Sequence, residues 1–440
     1  MVHSSCQKYR AKEAWFLMSK TTEQTVGLHK TLSLPQIVAL YIGAVIGSGI
    51  LLIPGLAAEI AGPASIIAWL LMSIIVIPMA LTMGLLSAKH PSAGGVSHFV
   101  RLAFGDRYGN MVGWFFLLSV PIGAPVVAVT GSHYLAILLG WSDLQIHVTA
   151  ALILLTTLVM NYFGMKIASQ VQTVVISLII ATLLLAIVTS IPHASAAHFT
   201  PFAPHGWLSV IQVAGLLFWC FIGWEAVTHL SEEFVDPEKN AIRGVLWSAG
   251  LVALMYFGIA FMTVATHSYG DGMSAASLSV MVQLTLGPVG GWIVAVTALF
   301  ICIAATNAYI GAASRIAYSL AHQGIAPKWF GILHQKHRTP IGGLGFLFVC
   351  FAIVITVLST KLISLATIIE LPNATFFATY IGGCLAGVRM LKGSRLGSIS
   401  AWISLIVTCA LYPFLGWSAL YPFVVVIVLH VVEKRKAMLT

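Results

Sequence analysis

Charge is what this sequence has least of. Only 8% of its 440 residues are Asp, Glu, Lys or Arg and 59% are hydrophobic, against roughly a quarter charged and half apolar in a soluble domain. A water-soluble core cannot absorb that excess. Cysteine is equally uninformative as chemistry: Cys6, Cys220, Cys302, Cys350, Cys384 and Cys409 fall in the tail or within apolar stretches, with no CxxC, so packing is their simplest role. The GxxxxGK[ST] loop of an ATP-hydrolysing chain is absent, as are HExxH and GxSxG, which an intramembrane enzyme would need. Nor is there the continuous polar lining or repeated filter sequence of a channel. The first apolar run follows more than 30 largely polar residues and has no small-residue cleavage site, so no signal peptide is expected and the N-terminus should stay cytoplasmic.

What the chain does contain is apolar runs on the scale of a bilayer, which needs roughly 20 residues of helix. They cover residues 37–60, 64–88, 111–139, 146–163, 170–190, 209–230, 243–267, 289–318, 340–358, 362–386, 398–414 and 417–432. This predicts an all-α polytopic membrane protein of about 12 transmembrane helices. Residues 1–36 form a cytoplasmic tail, 37–432 the transmembrane domain and 433–440 a second cytoplasmic tail; translation starting at Met18 is an alternative to Met1. With that orientation every Lys and Arg except Lys361 falls on the cytoplasmic side, the asymmetry expected of an inserted protein. The net charge of +9 is then an insertion signal, and a nucleic-acid face is not expected, because the charges sit in separate short loops. Trp114, Trp141, Trp207 and Trp417 near helix ends fit an interfacial belt. The compact loops and the lack of a signal peptide suit a bacterial inner membrane.

Two runs are interrupted. The first holds Gly43, Gly47, Ser48 and Gly49 within IGAVIGSGILLIPG, and each interior Gly costs a helix roughly 1 kcal/mol. Close packing through small residues would explain these glycines as well as a functional break. The sixth run decides between them: GLLFWCFIGWEAVTHLSEEF places Gly223 beside Glu225 within an apolar stretch, and an acid at membrane depth faces a cavity or a partner. Two interrupted helices in corresponding positions of two five-helix halves, residues 37–190 and 209–386, is the pattern of an inverted-repeat transporter.

These residues resemble the amino acid-polyamine-organocation transporters. The resemblance rests on GAVIGSGI (Gly43 to Ile50), HPSAGGVSHFVRLAFG (His90 to Gly105), FIGWEA (Phe221 to Ala226) and DPEKN (Asp236 to Asn240), and spans roughly residues 35–390. Within the family, PSAGGVSHFV and FWCFIGWEAVTHLSEEF are most similar to the bacterial exporters of methionine and branched-chain amino acids. The resemblance implies a five-plus-five inverted repeat with helices 1 and 6 unwound, plus two extra helices over 398–432. By position, the amides of Ser48, Gly49 and Ile50 would receive a substrate carboxylate at the positive end of a half-helix, with Gly47 and Gly223 at the two breaks. Carbonyls near Ala44, Val45, Phe221 and Ile222 would take the ammonium. Ile46, Phe218, Phe221, Ile222 and Trp224 would form an apolar side-chain pocket.

Glu225 is expected to hydrogen-bond the unwound segment or exchange a proton. Glu370 is a candidate gate or proton site. His229, one turn beyond Glu225, reads equally as a relay partner or a packing residue. Asn307 and Tyr309 are candidate polar contacts to substrate, although a membrane Asn more often bonds a neighbouring helix. Glu59, at the outer end of helix 1, is expected to snorkel. Three positions depart from the family pattern: His98 stands where an aromatic is usual and could titrate near neutrality, although such a histidine is more often a packed loop residue, Trp224 replaces a common Phe, and the fifth run has no lysine, Ile176 to Ile180 occupying the region. That last departure puts lysine-based proton coupling in doubt. The expected function is secondary transport of neutral hydrophobic amino acids, with export by proton antiport preferred over uptake or exchange. Cationic substrates are the alternative, and a transporter-fold nutrient sensor is the reading from a different class. The partners are a small amino acid, a proton and membrane lipid, in a monomer or homodimer, with no cofactor and no metal.

Overall fold

A computed structural model of the chain describes residues 28–47, 49–271, 273–360 and 365–439. Met1, Met18, Ser48 and Lys361 lie outside them. The described residues form helices: α1 Leu34–Val45, α2 Gly49–Ala61, α3 Ser65–Lys89, α4 Gly95–Phe104, α5 Asp106–Leu139, α6 Asp143–Tyr162, α7 Met165–Ser190, α8 Leu208–Phe218, α9 Trp224–Thr228, α10 Pro237–Ala265, α11 Ser277–His322, α12 Ile341–Ser359, α13 Leu365–Met390, α14 Arg395–Leu411 and α15 Tyr421–Leu439. No strand is present among the described residues. A chain this apolar satisfies its backbone in lipid only by closing hydrogen bonds within each segment, hence the helices.

Seven helical runs are long and apolar enough to cross a membrane: Gly49–Lys89, Asp106–Ala136, Asp143–Tyr162, Met165–His193, Pro237–Ala265, Ser277–His322 and Ile341–Ser359. The protein is therefore a multi-pass membrane protein. Its exterior agrees. Leu144, Val148, Leu152, Leu155 and Val159 recur on one exposed face of α6 at helical spacing, as suits a helix side turned to lipid.

The run expected over 289–318 proves to be part of a 46-residue helix, broken where Gly287 leaves helical geometry at φ 55°, ψ −146° and Pro288 follows. Proline cannot continue the hydrogen-bond ladder, so the bend falls there. The motif between α3 and α5 is itself helical as α4, whose Arg101 is held by Asn110 at 2.8 Å, Asp106 at 3.2 Å and Gln323.

At one end of the bundle several backbone segments are tied together. The amides of Thr31 and Leu32 donate to the Glu233 carbonyl at 2.9 Å, and the Val235 amide returns to Leu32 at 2.9 Å. Glu232 accepts from the Ala93 amide at 2.9 Å, and the Ser92 amide donates to Ser231 Oγ at 3.0 Å. Beneath them Arg315 of α11 donates to Glu233 at 2.7 Å, both side chains nearly inaccessible.

Candidate functional site

The first run is interrupted after α1. Ile46 leaves the helix at φ −76°, ψ 81°, and α2 resumes at Gly49. The break exposes carbonyls, and one is already satisfied: Val45 O accepts from the Gly47 amide at 2.9 Å and from the Tyr256 hydroxyl at 3.1 Å. Both lone pairs of the Val45 carbonyl are thus engaged within the protein, which leaves Ala44, Phe221 and Ile222 among the carbonyls expected to face an ammonium. Ser48, expected as a carboxylate donor, lies outside the described residues.

The sixth run is interrupted between α8 and α9. A short 3-10 turn covers Trp219–Phe221, Ile222 is extended, and Gly223 takes φ 136°. A side chain there would be strained, and its Cβ would also stand 2.7 Å from the Ala44 carbonyl oxygen. The two breaks thus face each other across a glycine. Gly49 makes the matching approach, with a Cβ there falling 2.7 Å from Cys220 Sγ.

Glu225, fully buried, turns back onto the break. Its Oε2 accepts from the Gly223 amide at 2.9 Å, and its Oε1 accepts from the Tyr309 hydroxyl at 3.3 Å. Tyr380 of α13 completes the arrangement, its oxygen accepting from the amides of Trp224 at 3.0 Å and Gly223 at 3.3 Å. The first amides of α9 therefore have acceptors, as an interrupted helix requires. Among the described residues Glu225 forms no ion pair.

Between the breaks lies a cavity of about 70 Å³, below the roughly 300–1,000 Å³ of ordinary ligand pockets, so a larger guest requires the surrounding helices to part. Ala44, Val45, Gly47, Gly49, Cys220 and Ile222 come from the breaks; α5 contributes Val120, Gly123, Ala124 and Val127; α11 contributes Ala305, Thr306 and Tyr309; α13 contributes Phe376. Among the described residues the surface is apolar apart from backbone and a few hydroxyl and thiol groups.

The other expected residues are distributed more widely. Ile46 and Ile50 are buried away from the cavity. Phe218 stacks on Phe377 at 4.3 Å, Phe221 packs on Tyr256 at 5.1 Å, and Trp224 packs on Tyr41 at 5.8 Å. The helix breaks turn these rings into supporting walls. Asn307 bonds neighbouring helices, donating to Gln172 at 2.9 Å and accepting from Asn161 at 2.9 Å, while Tyr309 reaches both cavity and Glu225. His229 packs against Phe116 at 4.3 Å, with Nδ1 3.4 Å from the Ala93 carbonyl. Glu370 sits in the first turns of α13, about 15 Å along the helix from Tyr380 at 1.5 Å per residue. Burial, aided by Arg101 and His90, holds the His98 imidazole below its usual 6.5.

The family is decided by the span of the match: the family model described as amino acid permease fits residues 32–432, from just before α1 into α15. The chain belongs to the amino acid permease family. It is a transporter with a small amino acid substrate, not an enzyme. The permease is 38% identical over 397 residues to the uncharacterized amino acid permease YecA of Bacillus subtilis (strain 168), covering 90% of this chain and 94% of the relative. It is 30% identical over 419 residues to the L-methionine/branched-chain amino acid exporter YjeH of Escherichia coli (strain K12), covering 93% and 98%. Its structure also matches that of MhsT in complex with L-phenylalanine with a TM-score of 0.66 at 12% identity, over 89% of this chain and 100% of the other, a likeness of fold.

Three residues that bond or pack on the broken helices gave no motif signal. Tyr256 and Tyr380 are tyrosines deep in apolar helices, where a hydroxyl needs a partner, and that need was the available cue. The third is Gln172 of α7, which lies one turn before Ile176 and packs on the first run. Its amide lies over Gly43, donates to the Ala304 carbonyl at 3.0 Å and accepts from Asn307.

Proposed function

We propose that the permease carries neutral, hydrophobic amino acids, methionine and the branched-chain set, by alternating access, with net export driven by proton antiport. The observation that carries this reading is the cavity itself: apolar walls meet the backbone of two broken helices, and Tyr309 links that space to the buried acid Glu225. The amide of Gly49, at the start of α2 and on the cavity wall, suits a carboxylate, and the Ala44 carbonyl suits an ammonium. The walls then take an uncharged side chain. A cationic substrate is disfavoured, since both Glu225 oxygens are engaged by Gly223 and Tyr309. Direction follows the gradients; similarity to an exporter favours efflux.

In this reading twelve spans cross a bacterial inner membrane with both termini cytoplasmic. Residues 37–190 and 209–386 are the inverted halves, 398–432 add two helices, and the protein works as a monomer or homodimer. The test is counterflow of labelled leucine, methionine and arginine in proteoliposomes with and without a pH gradient. Leucine and methionine should exchange, and Glu225→Gln should abolish the response to the gradient while exchange persists. Arginine exchange without leucine or methionine exchange overturns the substrate, and an unchanged gradient response in Glu225→Gln overturns the proton role.

A further inference from the structure

A second cavity, of about 870 Å³, opens on the flank of the molecule between α4, the start of α5, α13 and the start of α15. Its lining is apolar or aromatic with one charged exception, Arg389. Along α13 it runs from Ala378 to Arg389, about 16 Å at the rise of an α-helix. Phe104, Tyr108, Leu385 and Phe423 are each more than a third exposed along it, so the groove faces the surroundings of the protein, which for this belt is lipid. Arg389 closes one end, its guanidinium 5.4 Å from the centre of the Phe104 ring, and it forms no ion pair among the described residues. The nearest acid in sequence to the groove wall, Asp106, is committed to Arg101 at 3.2 Å.

An arginine that only snorkels to the interface needs no groove behind it. Here a channel long enough for much of an acyl chain ends on a cation with no acidic partner among the described residues, and basic pockets between membrane helices suit lipid phosphates. We propose that this groove is a binding site for an anionic phospholipid, with an acyl chain along α13 and the headgroup phosphate on Arg389. The site rests on membrane embedding alone and is independent of what the permease carries. It bears on transport through α13, which presents Ala378 and Gly382 to the groove but Phe376 to the central cavity and Tyr380 to the α8–α9 break.

The experiment is native mass spectrometry of the delipidated full-length protein, titrated with phosphatidylglycerol or phosphatidylethanolamine, for the wild type, Arg389→Gln and Ala378→Trp. Melting curves accompany each variant to show that it is folded. Phosphatidylglycerol should bind in preference to phosphatidylethanolamine. Arg389→Gln should weaken phosphatidylglycerol about five-fold, the worth of one basic side chain at an anionic surface, and leave phosphatidylethanolamine unchanged. Ala378→Trp should displace both by filling the groove. Equal binding of the two lipids, or phosphatidylglycerol binding untouched by either variant, overturns the proposal. A dimer that Ala378→Trp dissociates would also overturn it, by making a second copy the occupant.

Discussion

At the scale of single residues, the arrangement depends on two tyrosine hydroxyls serving backbone groups that a broken helix would otherwise leave bare. Tyr256 donates to the Val45 carbonyl and Tyr380 accepts from the amides of Gly223 and Trp224. The two amides are not equivalent, because Gly223 keeps Glu225 Oε2 as a second acceptor, whereas among the described residues the Trp224 amide has Tyr380 alone. Tyr380→Phe should therefore cost about 1–3 kcal/mol, the penalty of one buried donor left without an acceptor. The expected result is a lower melting temperature together with slower leucine exchange. Tyr309→Phe, which removes a single 3.3 Å bond to Glu225, should slow exchange with a smaller loss of stability. Equal melting temperatures for Tyr380→Phe and the wild type would mean that the hydroxyl does not hold the break.

At the scale of elements, the interrupted helices were legible in the sequence because glycine is costly inside a helix and an acid is costly inside a membrane; Gly47, Gly223 and Glu225 declare both. Which side chains face the cavity was not legible. Ile46, Phe218, Phe221 and Trp224 belong to the right segments, yet all four are buried in the packing around the cavity and none lines it. The walls from α5 and α13 consist of Val, Ala, Gly and Phe, whose facing depends on tertiary packing and not on any local pattern. The close approach of the two breaks gives a test at this scale. Gly49→Ala places a methyl group 2.7 Å from Cys220 Sγ and should depress transport, since overpacking typically costs about 1–3 kcal/mol. Adding Cys220→Ala removes the colliding sulfur, and the double variant should recover a substantial part of the exchange rate. If it recovers none, the defect of Gly49→Ala lies outside this contact.

At the scale of the whole molecule, the central cavity is too small for ordinary ligands, so transport requires the bundle to open. The end where Arg315 meets Glu233 is tied by buried charge, by backbone bonds between residues 31–32 and 233–235, and by the amides of Ser92 and Ala93 on the side chains of Ser231 and Glu232. Removing one partner of a buried pair leaves the other uncompensated, at about 3–5 kcal/mol, whereas replacing both with apolar groups of similar volume is often neutral. Arg315→Met with Glu233→Met should therefore preserve the fold while releasing this closure. Cys220 is the only cysteine lining the cavity among the described residues and can report the result. In a background with every other cysteine replaced by serine, a membrane-permeant maleimide should label Cys220 slowly, and faster in the double methionine variant, with leucine or methionine protecting it in both. Unchanged labelling would assign the closure to the backbone bonds around Leu32 and Glu233. Faster labelling without protection would separate opening of this end from substrate binding, since the thiol would then be reached by a path that the substrate does not occupy.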